Sequence, residues 1–372
     1  MLLPSYVFQG YLNIDVRMLF GFVIFTAILA LNKRLALHKS ELKIVFFILL
    51  SGIIGSIFSG RPSQLLMALT LSSSIIIISS QWLNMTSHKS LSNLNFIVYC
   101  LILLAISGFI HAFIGGVSES TITLQGGREV YLYLTTYTGS VNGNLIRPAA
   151  IFDEPGAFAM FITLSVALNE ALRGKTRTSY IMIFGGLITG SFILFLIAII
   201  FIIYKLNLRN SIIIISALIL CFFVIENTPL SLATDAFFVQ RINELNFNSG
   251  FNLGDSRTIQ VIDFFEMVNS DMTLRGAEDR MIGPDQSSNP FSIYYGYGIF
   301  IWMPYFVLEL WLFYATFFYK RHLRFSAFIV FLTLLQRPYL YNLYWQLMIV
   351  FILITIYKLQ KQKIIQSDTQ NL

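Results

Sequence analysis

Charge is scarce in this chain of 372 residues, where only 12% are charged and 56% are hydrophobic. Soluble domains carry about 25% charged residues, so the deficit excludes an ordinary soluble domain, and no basic tract for nucleic acid is present. Cysteine is nearly absent. Cys100 and Cys221 both sit inside apolar runs, which leaves no disulfide framework and no cysteine metal site. The first apolar run has neither a cationic stretch before it nor a small-residue cleavage site, and it is therefore predicted to be a retained helix. What is abundant is long apolar sequence, with 35 Phe and 18 Tyr and a mean hydropathy of +0.71.

A helix that crosses hydrocarbon needs about 20 apolar residues. Runs that approach this length are 16–32, 44–59, 64–80, 94–115, 149–172, 178–190, 191–204, 211–226, 290–319, 325–340 and 343–358. The expected architecture is an all-α polytopic integral membrane protein in which 1–372 form a single transmembrane domain. The runs 178–190 and 191–204 read either as one long helix or as a hairpin turning at Thr189-Gly190-Ser191. Cytoplasmic loops concentrate Lys and Arg, and only the hairpin puts the basic clusters of both chain halves on one side. The expectation is therefore about eleven spans, within 10–12, with the C-terminus in the cytoplasm and residues 1–15 outside or dipping into the bilayer. The tail after Leu359 is polar and expected to be irregular.

Two long outer segments follow, 116–148 and 227–289. The first is rich in Gly, Thr and Tyr and reads as a loop with extended pieces. The second carries amphipathic stretches over 231–245 and 258–268, suited to lying on the membrane surface. In this topology nine basic residues face outward: Arg17, Arg61, Arg128, Arg147, Arg241, Arg257, Arg275, Arg280 and Arg337. None of the lysines does. Two explanations are open: charge bias that thins lysine from the outside, or a surface that grips diphosphate or carboxylate with planar forks.

Histidine is missing from both outer segments. His38, His88 and His322 lie on the cytoplasmic side, and His111 lies near the outer end of the fourth span, where it reads as a packed helix-end residue. Neither a Ser-His-Asp arrangement nor zinc-ligand spacing exists outside. Three Arg-Pro pairs, Arg61-Pro62, Arg147-Pro148 and Arg337-Pro338, are far more than this composition would place by chance, and each is expected just before a helix whose N-terminus faces outward. Proline suits a first helical turn, and that end attracts anions. Asp153-Glu154-Pro155-Gly156 suits a further helix start or a kink. Two roles are open to Glu154: accepting a proton from a sugar hydroxyl, or capping the helix and pairing with Arg147. Glu309, inside the ninth span, is expected to be paired, and an intramembrane carboxylate also leaves proton-coupled transport open.

Arg147-x4-Phe152-x-Glu154-Pro155-Gly156 resembles the signature of Wzy-type O-antigen polymerases. Ile188-Thr189-Gly190-Ser191 resembles a turn found across the wider polymerase and ligase superfamily. Asp255-Ser256-Arg257, Asn289-Pro290-Phe291 and Tyr297-Gly298-Ile299-Phe300 resemble its second large loop and the helix after it. The resemblance implies a multi-pass protein of the bacterial inner membrane with a periplasmic active face. It implies a glycosyltransferase that needs no metal or cofactor and joins undecaprenyl-diphosphate-linked oligosaccharides, one as donor and one as acceptor.

On this resemblance Glu154, Arg147 and Arg257 are the expected catalytic positions. Arg61, Arg275, Arg280 and Arg337 are expected to bind diphosphate. A chain-length-regulating membrane protein is an implied partner. The related ligases carry a histidine in the second large loop near the Asn-led motif, whereas here Ser288 precedes Asn289, which favours the polymerase. The alternatives are a lipid-linked oligosaccharide flippase and an O-antigen ligase.

Overall fold

The computed structural model describes residues 37–123, 129–139, 141–142, 145–174, 176–205, 272–276, 291–341 and 343–370. The expected spans 16–32 and 211–226, both amphipathic stretches of the second outer segment, and Arg257 and Arg280 lie outside the described residues.

The described chain is mainly helical. Helices α1 (Lys39–Ser59), α2 (Pro62–Met85) and α3 (His88–Phe113) run back and forth, followed by short strands. Then come α4 (Pro155–Ala171), α5 (Thr176–Gly186), a 3-10 turn (Leu187–Thr189) and α6 (Phe192–Lys205). After the short α7 (Met272–Arg275) and α8 (Ser292–Tyr297) stand α9 (Ile299–Phe318), α10 (Arg321–Gln336), a second 3-10 turn (Tyr339–Tyr341) and α11 (Leu343–Gln370). Four of these, α1, α2, α3 and α9, are long and apolar enough to cross a membrane, and α4 and α6 are shorter apolar helices. Large apolar side chains such as Phe46, Ile57, Phe96, Leu103, Leu310 and Phe318 point outward from the long helices, as expected where the solvent is hydrocarbon.

Several expected boundaries move, each for a local reason. The run 290–319 is two helices, because Gly298 takes φ 78° between α8 and α9; glycine alone enters that region without steric cost. The run 149–172 becomes helical only at Pro155, since Ala149 and Ala150 are bonded to a neighbouring strand and the chain turns before the helix. The run 325–340 ends at Gln336, ahead of Arg337-Pro338. The tail after Leu359, expected to be irregular, continues α11 to Gln370, and no proline or glycine interrupts it.

The bundle has two ends, identifiable from side-chain bonds. Glu170, at the end of α4, accepts hydrogen bonds from Ser179 at the start of α5 (2.7 Å) and from Lys205 at the end of α6 (2.6 Å). Both arms of the α5–α6 pair therefore return to the Glu170 end. Their turn at Leu187–Ser191 lies at the opposite end, and the pair is a hairpin. Arg321 of α10 reaches the Tyr204 carbonyl at the Glu170 end, while Glu154 and Arg337 meet at the other. Among the described residues Lys39, Lys43, Lys89, Lys205, Lys320, Lys358 and Lys361 all fall toward the Glu170 end. Arg61, Arg147, Arg275 and Arg337 fall at the Glu154 end.

Apolar packing against lipid brings little net attraction, so small and polar residues tie such helices together. The serine-rich face of α2 does this against α11. Ser74 donates to Gln346 (3.0 Å), Trp82 to Thr355 (3.1 Å), and Lys358 to the Ser79 carbonyl (2.7 Å). Pro304 inside α9 offers no amide to the Phe300 carbonyl. Ser51 of α1 donates to that carbonyl instead, and Tyr341 to the neighbouring Ile301 carbonyl.

Candidate functional site

The described residues of the 116–148 segment form three antiparallel strands, β1 (Ser120–Thr123), β2 (Glu129–Tyr133) and β3 (Thr136–Thr138), with a two-residue ladder of β4 (Val141–Asn142) and β5 (Leu145–Ile146). The sheet sits on the end of α3, where Thr135 donates to the Leu104 carbonyl and meets the Ser107 hydroxyl at 2.6 Å. The expected extended pieces are thus a small platform.

Strand β3 then directs the chain into α4. Tyr137 exchanges backbone bonds with Ala149 (2.9 Å) and Ala150 (2.7 Å), and the Thr136 hydroxyl accepts from both of those amides. Thr138 donates to the Arg147 carbonyl. These bonds hold Ala150 at φ 51°, a left-handed conformation that costs a residue with a Cβ about 1–3 kcal/mol. The chain turns there, and the Phe152 amide closes onto the Ala149 carbonyl. Phe152 is fully buried and stacks against Phe158 and Trp345, which anchors the turn in the core. The sequence carries no signal for Thr136, and Phe152 is visible there only as a letter in a motif.

Glu154 occupies the N-cap position of α4 in an extended conformation (φ −143°, ψ 150°), with Pro155 as the first helical residue. Of the two readings of Asp153-Glu154-Pro155-Gly156, helix start and kink, the structure has the helix start. The carboxylate makes no capping bond. It forms an ion pair with Arg337 instead, so the expected pairing with Arg147 is corrected. The Glu154 side chain keeps 24% exposure and that of Arg337 11%, which leaves the pair at the mouth and not deep inside. Arg337 also donates to the Tyr339 hydroxyl (3.0 Å) and lies over that ring. Burial works against its charge, but Tyr339, Glu154 and the buried Asp153 outweigh that cost and raise its pKa above the ordinary arginine value.

Gly156 makes this contact possible. A Cβ there would collide with the Arg337 guanidinium, so the first turn of α4 is bare on the side the arginine crosses. In the sequence Pro155-Gly156 reads as helix-start chemistry, and the role of the glycine as clearance does not show.

Arg147 faces elsewhere. It is 8% exposed, and its fork donates to the carbonyls of Thr189 (Nε, 3.3 Å) and Gly190 (Nη, 2.9 Å). The two motifs read separately, Arg147 and Thr189-Gly190-Ser191, are therefore one physical unit in which the arginine clasps the tip of the α5–α6 hairpin. This revises its expected place: Arg147 caps carbonyl dipoles beside the mouth.

The Arg-Pro pairs differ from one another. Arg61-Pro62 does start a helix, α2, as expected. Arg147-Pro148 precedes the turn at Ala150, and Arg337-Pro338 ends α10 before the second 3-10 turn. Arg275 is exposed at the end of α7. Its carbonyl accepts from buried Gln64, which also donates to Tyr297 (2.9 Å) and lies one turn along α2 from Arg61. Arg61, Arg275 and Arg337 thus share one end of the bundle with Glu154. His111 packs its ring against Gly116 at the end of α3.

No protein-family model, no curated protein and no solved structure matches this chain.

Proposed function

We propose that this chain is a Wzy-type polymerase that extends undecaprenyl-diphosphate-linked oligosaccharides at the periplasmic face of the inner membrane. The observation that supports it most is the sorting of charge about Glu154. Glu154, beside Asp153, shares one end of an apolar bundle with Arg61, Arg147, Arg275 and Arg337 from separate chain segments, whereas the lysines of the described residues lie toward the other end together with Arg173, Arg177, Arg321 and Arg324. Positive-inside bias makes the lysine end cytoplasmic, which puts Glu154 outside, where lipid-linked repeats are joined.

In the proposed reaction a hydroxyl oxygen of the incoming repeat attacks the anomeric carbon of the growing chain. The new glycosidic bond forms as the bond from that carbon to the lipid diphosphate breaks, and the diphosphate leaves with the electron pair. Arg337, Arg61 and Arg275, with Arg257 and Arg280 from the second outer segment, are the groups proposed to stabilise that charge. Glu154 accepts the hydroxyl proton and passes it to water. When diphosphate draws Arg337 away, the carboxylate loses its ion-pair partner and becomes more basic at the moment it is needed. Arg147 acts as a positioning residue, through the hairpin tip. A chain-length-regulating membrane protein remains the proposed partner.

Purified protein supplied with undecaprenyl-diphosphate-linked repeat units should convert them to longer lipid-linked chains, and Arg257→Ala should abolish that conversion. Transbilayer movement of the substrate without lengthening would instead identify a flippase. Transfer of the sugar to lipid A would identify a ligase.

A further inference from the structure

Pro338 has no amide hydrogen, so the Leu334 carbonyl, four residues earlier at the end of α10, lacks its helical donor. The phenol of Tyr305, on α9, fills that vacancy with its oxygen 2.7 Å from the carbonyl oxygen. The same phenol oxygen lies 2.5 Å from Oε1 of Glu309, one turn further along α9. Tyr305 is fully buried and Glu309 is 8% exposed. A phenol has one proton, and a backbone carbonyl can only accept. The Tyr305 proton is therefore committed to Leu334, and the short contact with Glu309 needs a second proton, carried by the carboxyl.

We infer that Glu309 is a neutral carboxylic acid at the base of a hydrogen-bond chain, Glu309 to Tyr305 to the Leu334 carbonyl, that secures the end of α10 and so positions Arg337 opposite Glu154. If Glu309 ionised, its carboxylate would compete for the Tyr305 proton, and the Leu334 carbonyl would be left buried without a donor three residues before Arg337. The folded state would then lose the bond that fixes the end of α10. Proton occupancy inside the bundle is thereby linked to the geometry at the mouth.

Among the described residues the other titratable group facing this chain is Tyr341, which lies on the second 3-10 turn and donates to the Ile301 carbonyl of α9. The charged residues of the long helices packed against α9 lie in their first turns at the Glu170 end: Lys39, Glu41 and Lys43 on α1, and Arg321, His322 and Arg324 on α10. The short α7 and α8 pack at the other end of α9 and bring Arg275 and the tyrosines Tyr294, Tyr295 and Tyr297. Glu309 lies between these two groups, two to three turns inside α9, and neither offers a cation to hold a carboxylate there.

The inference does not rest on the polymerase reading, because its test uses resting protein in detergent. The infrared spectrum at neutral pH should contain the carbonyl stretch of a protonated carboxylic acid. Glu309→Gln should remove that band, and Tyr305→Phe should shift it by removing the acceptor. A group protonated when folded and ionised when unfolded makes the folding constant fall by up to about tenfold per pH unit between the two ionisations. The melting midpoint of the wild type should accordingly drop from mildly acidic to mildly alkaline pH, and that of Glu309→Gln, which keeps a donor for Tyr305, should drop less. A spectrum with no protonated-acid band, a band untouched by both substitutions, or an unchanged pH slope in Glu309→Gln overturns the inference.

Discussion

Arg337, at the end of one helix, forms an ion pair with Glu154, at the start of another, and reaches it across a first turn kept bare by Gly156. Half-buried pairs of this kind are coupled because each charge is costly without the other. In a double-mutant cycle, Glu154→Gln and Arg337→Gln should each destabilise the protein, and the double variant should lose less than their sum. The expected coupling is about 1–3 kcal/mol. Strict additivity in thermal or denaturant unfolding would contradict the pair.

Gly156→Ala separates geometry from stability. Alanine is about 1 kcal/mol better than glycine within a helix, so the helix itself should not suffer. The added methyl intrudes on the space of the Arg337 guanidinium, so the arginine must shift and the geometry of its pair with Glu154 changes. We expect a melting midpoint lowered no further than in Arg337→Gln, because the helix gains what the disturbed pair loses, with chain lengthening reduced by about tenfold or more, the cost of misplacing one charge-stabilising group in the transition state. Wild-type lengthening would show that the pair is not needed for the reaction.

Arg147→Lys tests the clasp on the hairpin. A lysine ammonium cannot reproduce the planar fork that reaches both Thr189 and Gly190. Losing one charge-assisted bond to a buried carbonyl should cost about 1.5–3 kcal/mol, and the turn at 187–191 should become cleavable by protease. If the Arg147→Lys variant melts like wild type while its activity is lost, the arginine acts on substrate and not through the hairpin.

Topology can be read with single cysteines in a background with Cys100 and Cys221 replaced by serine. Ser87→Cys lies between α2 and α3 at the lysine-bearing end, and Glu119→Cys lies on the exposed side of the small sheet. A membrane-impermeant thiol reagent should label Glu119→Cys in spheroplasts and leave Ser87→Cys untouched until the membrane is opened. The reverse pattern would invert the proposed sides.

Much of the helical plan is present in the sequence because hydrocarbon imposes a rule that acts locally. Each span must be apolar over its own length, and each connecting loop carries its own charge. That is why the helices Lys39–Ser59, Pro62–Met85 and His88–Phe113 are legible in outline, and why the bias of Lys and Arg clusters separates α5 from α6 as a hairpin. Glu154 before Pro155 is likewise readable as a helix start, from the dihedral restriction of proline.

Partnership is not readable, because it depends on which ends meet. Arg147 stands close to Glu154 in the chain, yet strand β3 holds residues 147–150 and turns the guanidinium onto the hairpin tip. Arg337 is remote in sequence, yet α10 packs along α4 and carries it to the carboxylate. Residue type and order by themselves determined a mainly helical protein with helices apolar and long enough to cross a membrane, and lysines confined to the ends of its apolar runs. Tertiary packing alone decided which arginine meets Glu154, because an ion pair at the mouth of a bundle depends on distance and clearance, and neither is a property of any one segment.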